Sequence, residues 1–222
     1  AIYRELGDMR GAARSLNGLG LVSWGQGDFV TARSFLEESL AIKRELADPS
    51  PISIALNNLG LVAHAQGDYT TARAYLLESL AIDRELKDKD AIATSLVNLG
   101  AVALDDGRYE EARPLFMESL VLFNEVGDTR GIVDSLENLV GLVGLAGQMD
   151  SFGRAPVLGG VAEALREEIG APMATPERAR YERFLTLARA RVDNARWNEQ
   201  WAVGMAMAHD LERVVAYALE ER

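Results

Sequence analysis

The stretch Leu59–Leu86, LGLVAHAQGDYTTARAYLLESLAIDREL, decides how the whole chain is read. Shifted back by 40 residues, Leu19–Leu46 reads LGLVSWGQGDFVTARSFLEESLAIKREL; shifted forward by 40, Leu99–Val126 reads LGAVALDDGRYEEARPLFMESLVLFNEV. Gly20, Gly60 and Gly100 fall into one column, and Ala32, Ala72 and Ala112 into another. A fixed stride of this size marks a repeat array, in which each unit buries its apolar face against its neighbours. Further out, Ala1–Leu6, AIYREL, matches AIKREL at Ala41–Leu46 and AIDREL at Ala81–Leu86. Those residues read as the tail of a repeat whose front is missing, and the chain as a piece of a longer protein.

Within a repeat the apolar positions have helical spacing. Ile52, Leu56, Leu59 and Ala63 recur every three or four residues and make one stripe. Gly67 stops that helix, because glycine takes the left-handed cap conformation without steric cost. Asp68 can then accept from the free N–H groups of a second helix, which turns Tyr69, Ala72, Tyr75, Leu76, Leu80 and Ile82 inward. The turn recurs at Gly27-Asp28 and drifts to Gly107-Arg108 and Gly147-Gln148, where the capping side chain is poorer. Asp8, Asp48, Asp88 and Asp128 precede each new first helix, with Gly7 and Gly127 as stops; Asp48 reads as a cap with Pro49 at the first helical position. The signals predict first helices over 9–25, 49–65, 89–105 and 129–145, and second helices over 29–46, 69–86 and 109–126. The glycine column lies on the inner stripe of the first helix and the alanine column on the facing stripe of the second, so the two axes are expected to approach closely.

These residues resemble a known family. L-G, then G-D-[FY], then A, then an aromatic or leucine, then S-L, is similar to the tetratricopeptide repeat, in a lengthened variety of its usual unit of about 34 residues. The resemblance covers residues 1 to 148. Ser39, Ser79 and Ser119 depart from it where alanine is more usual, and Ser23, Ala63 and Ala103 where an aromatic is. It implies an all-α fold: a right-handed α-solenoid of helix-turn-helix repeats whose first helices line a concave face. Residues 1–170 form the array: a partial repeat 1–8, repeats 9–48, 49–88 and 89–128, and a degenerate repeat 129–170 in which Val140 replaces the glycine. Residues 171–222 are not repeats and are expected to cap the array. Val157–Ile169 reads as a helix stopped by Gly170, with an irregular start around Phe152, Gly153 and Pro156. Thr175-Pro176-Glu177 starts another running to Val192; a third runs from Arg196 to Met207 with Trp197 and Trp201 on one face, and a last follows Asp210. The order of motifs in the tail resembles the C-terminal ends of large bacterial regulators, the LuxR-type and related signal-transduction ATPases.

Composition narrows the function classes. The 222 residues carry 23 Lys and Arg against 34 Asp and Glu, a formal net charge of −11, and no cysteine. An acidic chain of this kind lacks the basic face that phosphate contact needs, so nucleic acid is not an expected partner. No apolar run reaches the about 18 residues of a membrane span, and no secretory signal is present; the expected location is cytoplasmic. Only Lys43, Lys87 and Lys89 are lysines, an arginine skew that fits a bacterial source. An enzyme needs convergent reactive groups, and the two histidines, His64 and His209, stand far apart. His209 with Asp210 and Glu212 reads as a helix start rather than a metal site. Gly18-Leu19-Gly20 and Gly25-Gln26-Gly27 imitate a phosphate loop but follow no strand. Gly141, Gly144 and Gly147 read as a close helix contact. No catalytic group, metal or cofactor is expected.

What remains is a surface. Helical phase with Leu16, Leu19 and Gly20 inward puts Arg14, Asn17, Leu21 and Trp24 on the groove, followed by Asn57, Leu61 and His64, then Val97, Ala101 and Asp105, then Asp134 and Glu137. Asn58, Asn98 and Asn138 form a second row along its edge. An asparagine amide both donates and accepts, so the row suits either the backbone of a bound peptide or a neighbouring helix. Asp105, Asp134 and Glu137 make the far half acidic and suited to a basic segment, and none of the three lysines falls on the groove. The expected function is non-catalytic recognition of a peptide, a partner protein or another domain of the parent chain. Self-association through the bared N-terminal edge near Ile2 and Tyr3, and a small-molecule pocket shaped by Trp24 and His64, are the alternatives.

Overall fold

A computed structural model describes residue 3 and residues 7–146, 154–170, 172–173 and 175–220, with the side chains of 175–177 excepted. The AIYREL tail apart from Tyr3, the Gly147-Gln148 turn, Phe152-Gly153 and the capping side chains at Thr175-Pro176-Glu177 lie outside the described residues. Eleven helices and no strand occur among them: α1 (Met9–Gly25), α2 (Phe29–Glu45), α3 (Pro49–Ala65), α4 (Tyr69–Leu86), α5 (Lys89–Asp105), α6 (Tyr109–Val126), α7 (Thr129–Ala146), α8 (Ala155–Ile169), α9 (Thr175–Arg189), α10 (Asn194–Met207) and α11 (Leu211–Leu219). The seven repeat helices match the expected bounds to within one residue.

Local chemistry fixes the boundaries. Asp8, Asp28 and Asp68 each accept from the backbone N–H three residues on, at Gly11, Thr31 and Thr71. Hydrogen bonds from the hydroxyl and the N–H of Thr31 and Thr71 hold the Asp28 and Asp68 carboxyls below the usual range. Asp48 does not cap α3 with its side chain. The reason lies in the residues after it: the third helical position is Pro51, which has no N–H to give. Gly7, Ala47, Lys87 and Gly127 share one column and all take positive φ, 72°, 51°, 58° and 75°. The stop seen at two glycines is thus made at all four positions, twice by residues that carry a Cβ.

The chain divides into two compact units, residues 1–102 and 103–222, with α5 running through the boundary. In the first, α1 packs on α2, α2 on α3 and α3 on α4. Ala32, Leu36 and Leu40 of α2 meet Ala55, Leu56, Leu59 and Val62 of α3 in one cluster, each at most 5% exposed. Full burial of such a leucine stabilises by about 1.5–3 kcal/mol. A Cβ placed on Gly20 or Gly60 would stand 2.6 Å from Cγ of Leu36 or Leu76. The glycine column therefore makes room for the leucines at 36 and 76, while the alanines at 32 and 72 are closed in completely. Leu19 is not covered: it is 49% exposed where Leu59 is 1% exposed, and Val22 is 59% exposed where Val62 is 1% exposed. On α3 that side is covered by α2; no described helix covers it on α1.

In the second unit α6 packs on α7 and α7 on α8, after which the order changes. α9 lies chiefly against α7, α10 against α8, and α11 touches α6 and α10. Glycines permit these crossings. Gly141 and Gly144 face Phe184 and the backbone of α9, Gly160 faces the backbone at Trp201, and Gly204 faces the carbonyl of Val157. Trp197 and Trp201 stack with centroids 5.8 Å apart, and the Trp201 indole N–H donates to Glu163 at 2.7 Å. Arg154 donates to the carbonyls of Tyr217 and Glu220 at the end of α11 and lies over the Tyr217 ring.

Candidate functional site

The predicted groove residues of the first unit belong to α1, α3 and α5, and most of the polar ones are held by their neighbours. Asn58 Nδ2 donates to Asn17 Oδ1 at 3.2 Å, and Asn98 Nδ2 donates to Asn57 Oδ1 at 2.8 Å. Each bond joins a first helix to the next, so the amides tie the stack laterally. Asn57, 9% exposed, also donates to Ser95 Oγ. Lys43 of α2 reaches Asn17 Oδ1 at 3.3 Å, which brings one lysine up to a groove residue after all. Its stem and ammonium are buried, and burial lowers its pKa below the ordinary 10.5. Arg14 is exposed, and Trp24, Leu61 and His64 are half-buried. The His64 ring lies 5.9 Å from Tyr69, and the buried indole N–H of Trp24 has no acceptor. These four residues offer surface to a partner.

The acidic positions of the second unit have cations of the chain itself. Arg166 of α8 donates from Nε and Nη2 to the two Glu137 oxygens, both at 2.9 Å, and from Nη2 to Asp134 Oδ1 at 3.2 Å. Arg180 of α9 donates to Asp105 Oδ2 at 2.8 Å and to Asn138 Oδ1 at 2.7 Å. Asn138 also donates to the Asp134 carbonyl. The acids expected to face a basic segment of a partner are thus paired with two arginines of the same chain.

One buried cluster escaped the sequence reading. Asp83, 2% exposed, accepts from the hydroxyls of Ser53 and Ser95, the latter at 2.7 Å. The single proton of the Ser79 hydroxyl is shared between the Ser53 carbonyl at 3.0 Å and Asp83 at 3.4 Å. The signal was there in Ser39, Ser79 and Ser119, which depart from the usual alanine: Ser39 donates to the Ala13 carbonyl and Ser119 to that of Phe116. The cluster is closed off from solvent and therefore structural. Among the described residues no group of His, Cys, Asp or Glu is placed to hold a metal ion, and no helix is long and apolar enough to cross a membrane.

Paired amphipathic helices, a left-handed stop, and lateral bonds from first helix to first helix recur together at one stride. Two family models described as tetratricopeptide repeat match the chain, at residues 2–51 and 51–125. Residues 2–125 are tetratricopeptide repeats. The repeats place the chain among solved structures of like fold. BtubC (BKLC) from P. vanneervenii superposes with a TM-score of 0.65 at 19% identity, over 99% of this chain and 86% of that one. A putative kinesin light chain with nearly identical TPR-like repeats, from Podosopora anserina, gives 0.59 at 17% identity over 94% and 97%. A second crystal structure under the same description gives 0.61 at 17% identity, over 90% and 96%. At these identities the likeness is one of fold. No curated protein matches the chain.

Proposed function

We propose that this chain is a non-catalytic scaffold that holds a protein segment on the first-helix faces of its tetratricopeptide repeats. The match of residues 2–125 to these repeats carries the reading, because such repeats generally serve protein association. In the first unit the contact is made by Arg14, Leu61, His64 and the exposed part of the Trp24 ring, groove residues with surface to offer. Asn17, Asn57, Asn58 and Asn98 hold the platform beneath. We read the chain further as the sensor or interaction region of a larger bacterial signalling or transcriptional regulator, working in the cytoplasm. The order of motifs in the tail supports this, and the coupling to a parent protein is by analogy.

Selection of random peptides on the intact chain tests the reading. Selected peptides are expected to bind at least about tenfold more weakly to Trp24→Ala and His64→Ala chains, the loss of a well-packed anchor. Equal binding to all three chains would remove the groove from consideration. One observation favours self-association as a second reading: Leu19 and Val22 are bare where Leu59 and Val62 are covered. Sedimentation of the Leu19→Ser, Val22→Ser chain against the unchanged one separates the two, since only an oligomer held by this face would dissociate.

A further inference from the structure

The face of α7 already has an occupant. α9 lies across it, and three of the side chains it presents, Arg180, Phe184 and Ala188, fit features of the face. The Arg180 guanidinium donates to Asp105 and Asn138, two of the positions expected to receive a ligand, and its plane lies 4.6 Å over the Phe184 ring. Phe184, 1% exposed, fills the space that Gly141 leaves, where a Cβ would stand 2.5 Å from the ring. One turn on, Gly144 takes the backbone at Ala188, whose side chain is closed in completely. The seat is particular to this repeat. The column of Gly141 holds Leu21, Leu61 and Ala101 elsewhere, and the column of Gly144 holds Trp24, His64 and Leu104.

The fit is incomplete in a way that favours exchange. Arg180 Nη2 and the Tyr181 hydroxyl are buried without an acceptor. Burial, with Glu137 and Glu163 nearby, pushes the Tyr181 pKa up, so the phenol remains a neutral donor with nothing to bond. Glu182, Arg183, Thr186 and Arg189 stay exposed, so one side of α9 is left to solvent while the helix rests chiefly on α7 and to a lesser extent on α8. Its flank beyond Tyr181 borders an open cleft of about 690 Å³ lined in part by Glu163, Glu182 and Trp201.

We propose that α9 is an internal ligand of the α7 face, and that a partner helix of the same chemistry exchanges with it. That chemistry is an arginine, a phenylalanine four residues later and a small residue four later again, as in Arg180, Phe184 and Ala188. The inference rests on the reading that first-helix faces bind protein segments, and gives one of them its partner. A partner without the tyrosine hydroxyl docks better than α9 itself. It competes against an attached helix whose effective concentration is of order millimolar, so the free chain favours the closed arrangement.

The probe is a fluorescent peptide of residues 175–192 carrying Tyr181→Phe, added to the intact chain. The chain has no cysteine, and a Cβ at Gly144 would lie 3.6 Å from that of Leu187, within the range a disulfide needs. A Gly144→Cys, Leu187→Cys chain is expected to exclude the peptide when oxidised and to bind it at least about tenfold more tightly when reduced. A Phe184→Ala chain, shown to be helical by circular dichroism, is expected to bind it more tightly than the unchanged chain, and adding Gly141→Leu to remove that gain. Equal binding by the oxidised and reduced chains, or no binding to the reduced one, overturns the inference. If peptides selected on the intact chain still depend on Trp24, only this inference falls; if they do not, the underlying reading falls with it.

Discussion

Lys87 ends α4 at φ 58°, and Ala47 stands at 51° in the same column, in a region that costs a residue with a Cβ about 1–2 kcal/mol. Glycine removes that cost and returns part of it through the greater freedom of the unfolded chain. Lys87→Gly is therefore expected to raise stability by about 0.5–1 kcal/mol, read as a higher urea midpoint at unchanged slope. Lys43 gives a second residue-level expectation. Its folded pKa is lowered by burial, so between that value and 10.5 the unfolded chain binds more protons. Stability then rises with pH across this window, up to 10.5. Lys43→Met should stabilise at pH 7 by about 1 kcal/mol and flatten the alkaline rise, because Asn17 keeps Asn58 as a donor. Urea melts at pH 7 and near pH 10 check both. These residues also mark a limit of sequence reading. Glycine announces a left-handed stop, whereas Ala47 and Lys87 carry no such mark; only their place in a column shared with Gly7 and Gly127 could have revealed it.

Among the elements, the repeat helices were legible because apolar spacing recurs in each and is joined by a glycine stop, a cap residue or both. Where one signal conflicted with another the reading failed. Asp48 looked like a cap, but the prolines that signal the helix start also take away the N–H it needs. The close approach of first and second helices was legible in the small residues, though its fuller partner was not: Gly20 meets Leu36 as well as the Ala32 carbonyl, and Gly60 meets Leu76. Gly60→Ala tests that contact. Alanine is favoured over glycine inside a helix by about 1 kcal/mol. Against this, the new methyl would press on Leu76, which has no exposed surface, and overpacking of this kind costs about 1–3 kcal/mol. A net loss of about 1 kcal/mol is expected in thermal or urea unfolding, and a gain would show that Leu76 can move. The position of α9 was not legible at all. Gly141 and Gly144 declared that something comes close, but nothing local says that the visitor is Phe184, from a helix much later in the chain.

For the whole molecule, the stride is the quantity to test. Removing residues 49–88 joins Asp48 to Lys89 and so reproduces the junction Asp88–Lys89 found in the intact chain. Repeat arrays owe their stability to each unit and its contacts with the next. The shortened chain is expected to keep its helicity per residue and its cooperative melt, at a lower midpoint. Removal of two residues fewer should leave the helix faces out of register and broaden or abolish the melt. Circular dichroism through a temperature ramp distinguishes the outcomes.

A near-perfect period carries a hazard of its own: look-alike segments can pair with the wrong neighbour during folding or between crowded molecules. The interior column at 43, 83 and 123 answers it with Lys43, Asp83 and Phe123, a cation, an anion and a ring, each buried. Asp83 has its three serines and Phe123 the bare backbone of Gly131, while Lys43 leans on Asn17. A helix slipped by one unit would strand a charge in an apolar hole or force a ring into a space already filled. Backbones that are interchangeable thus carry side chains that are not, and the column works as an address code keeping each helix pair at its own place in the queue.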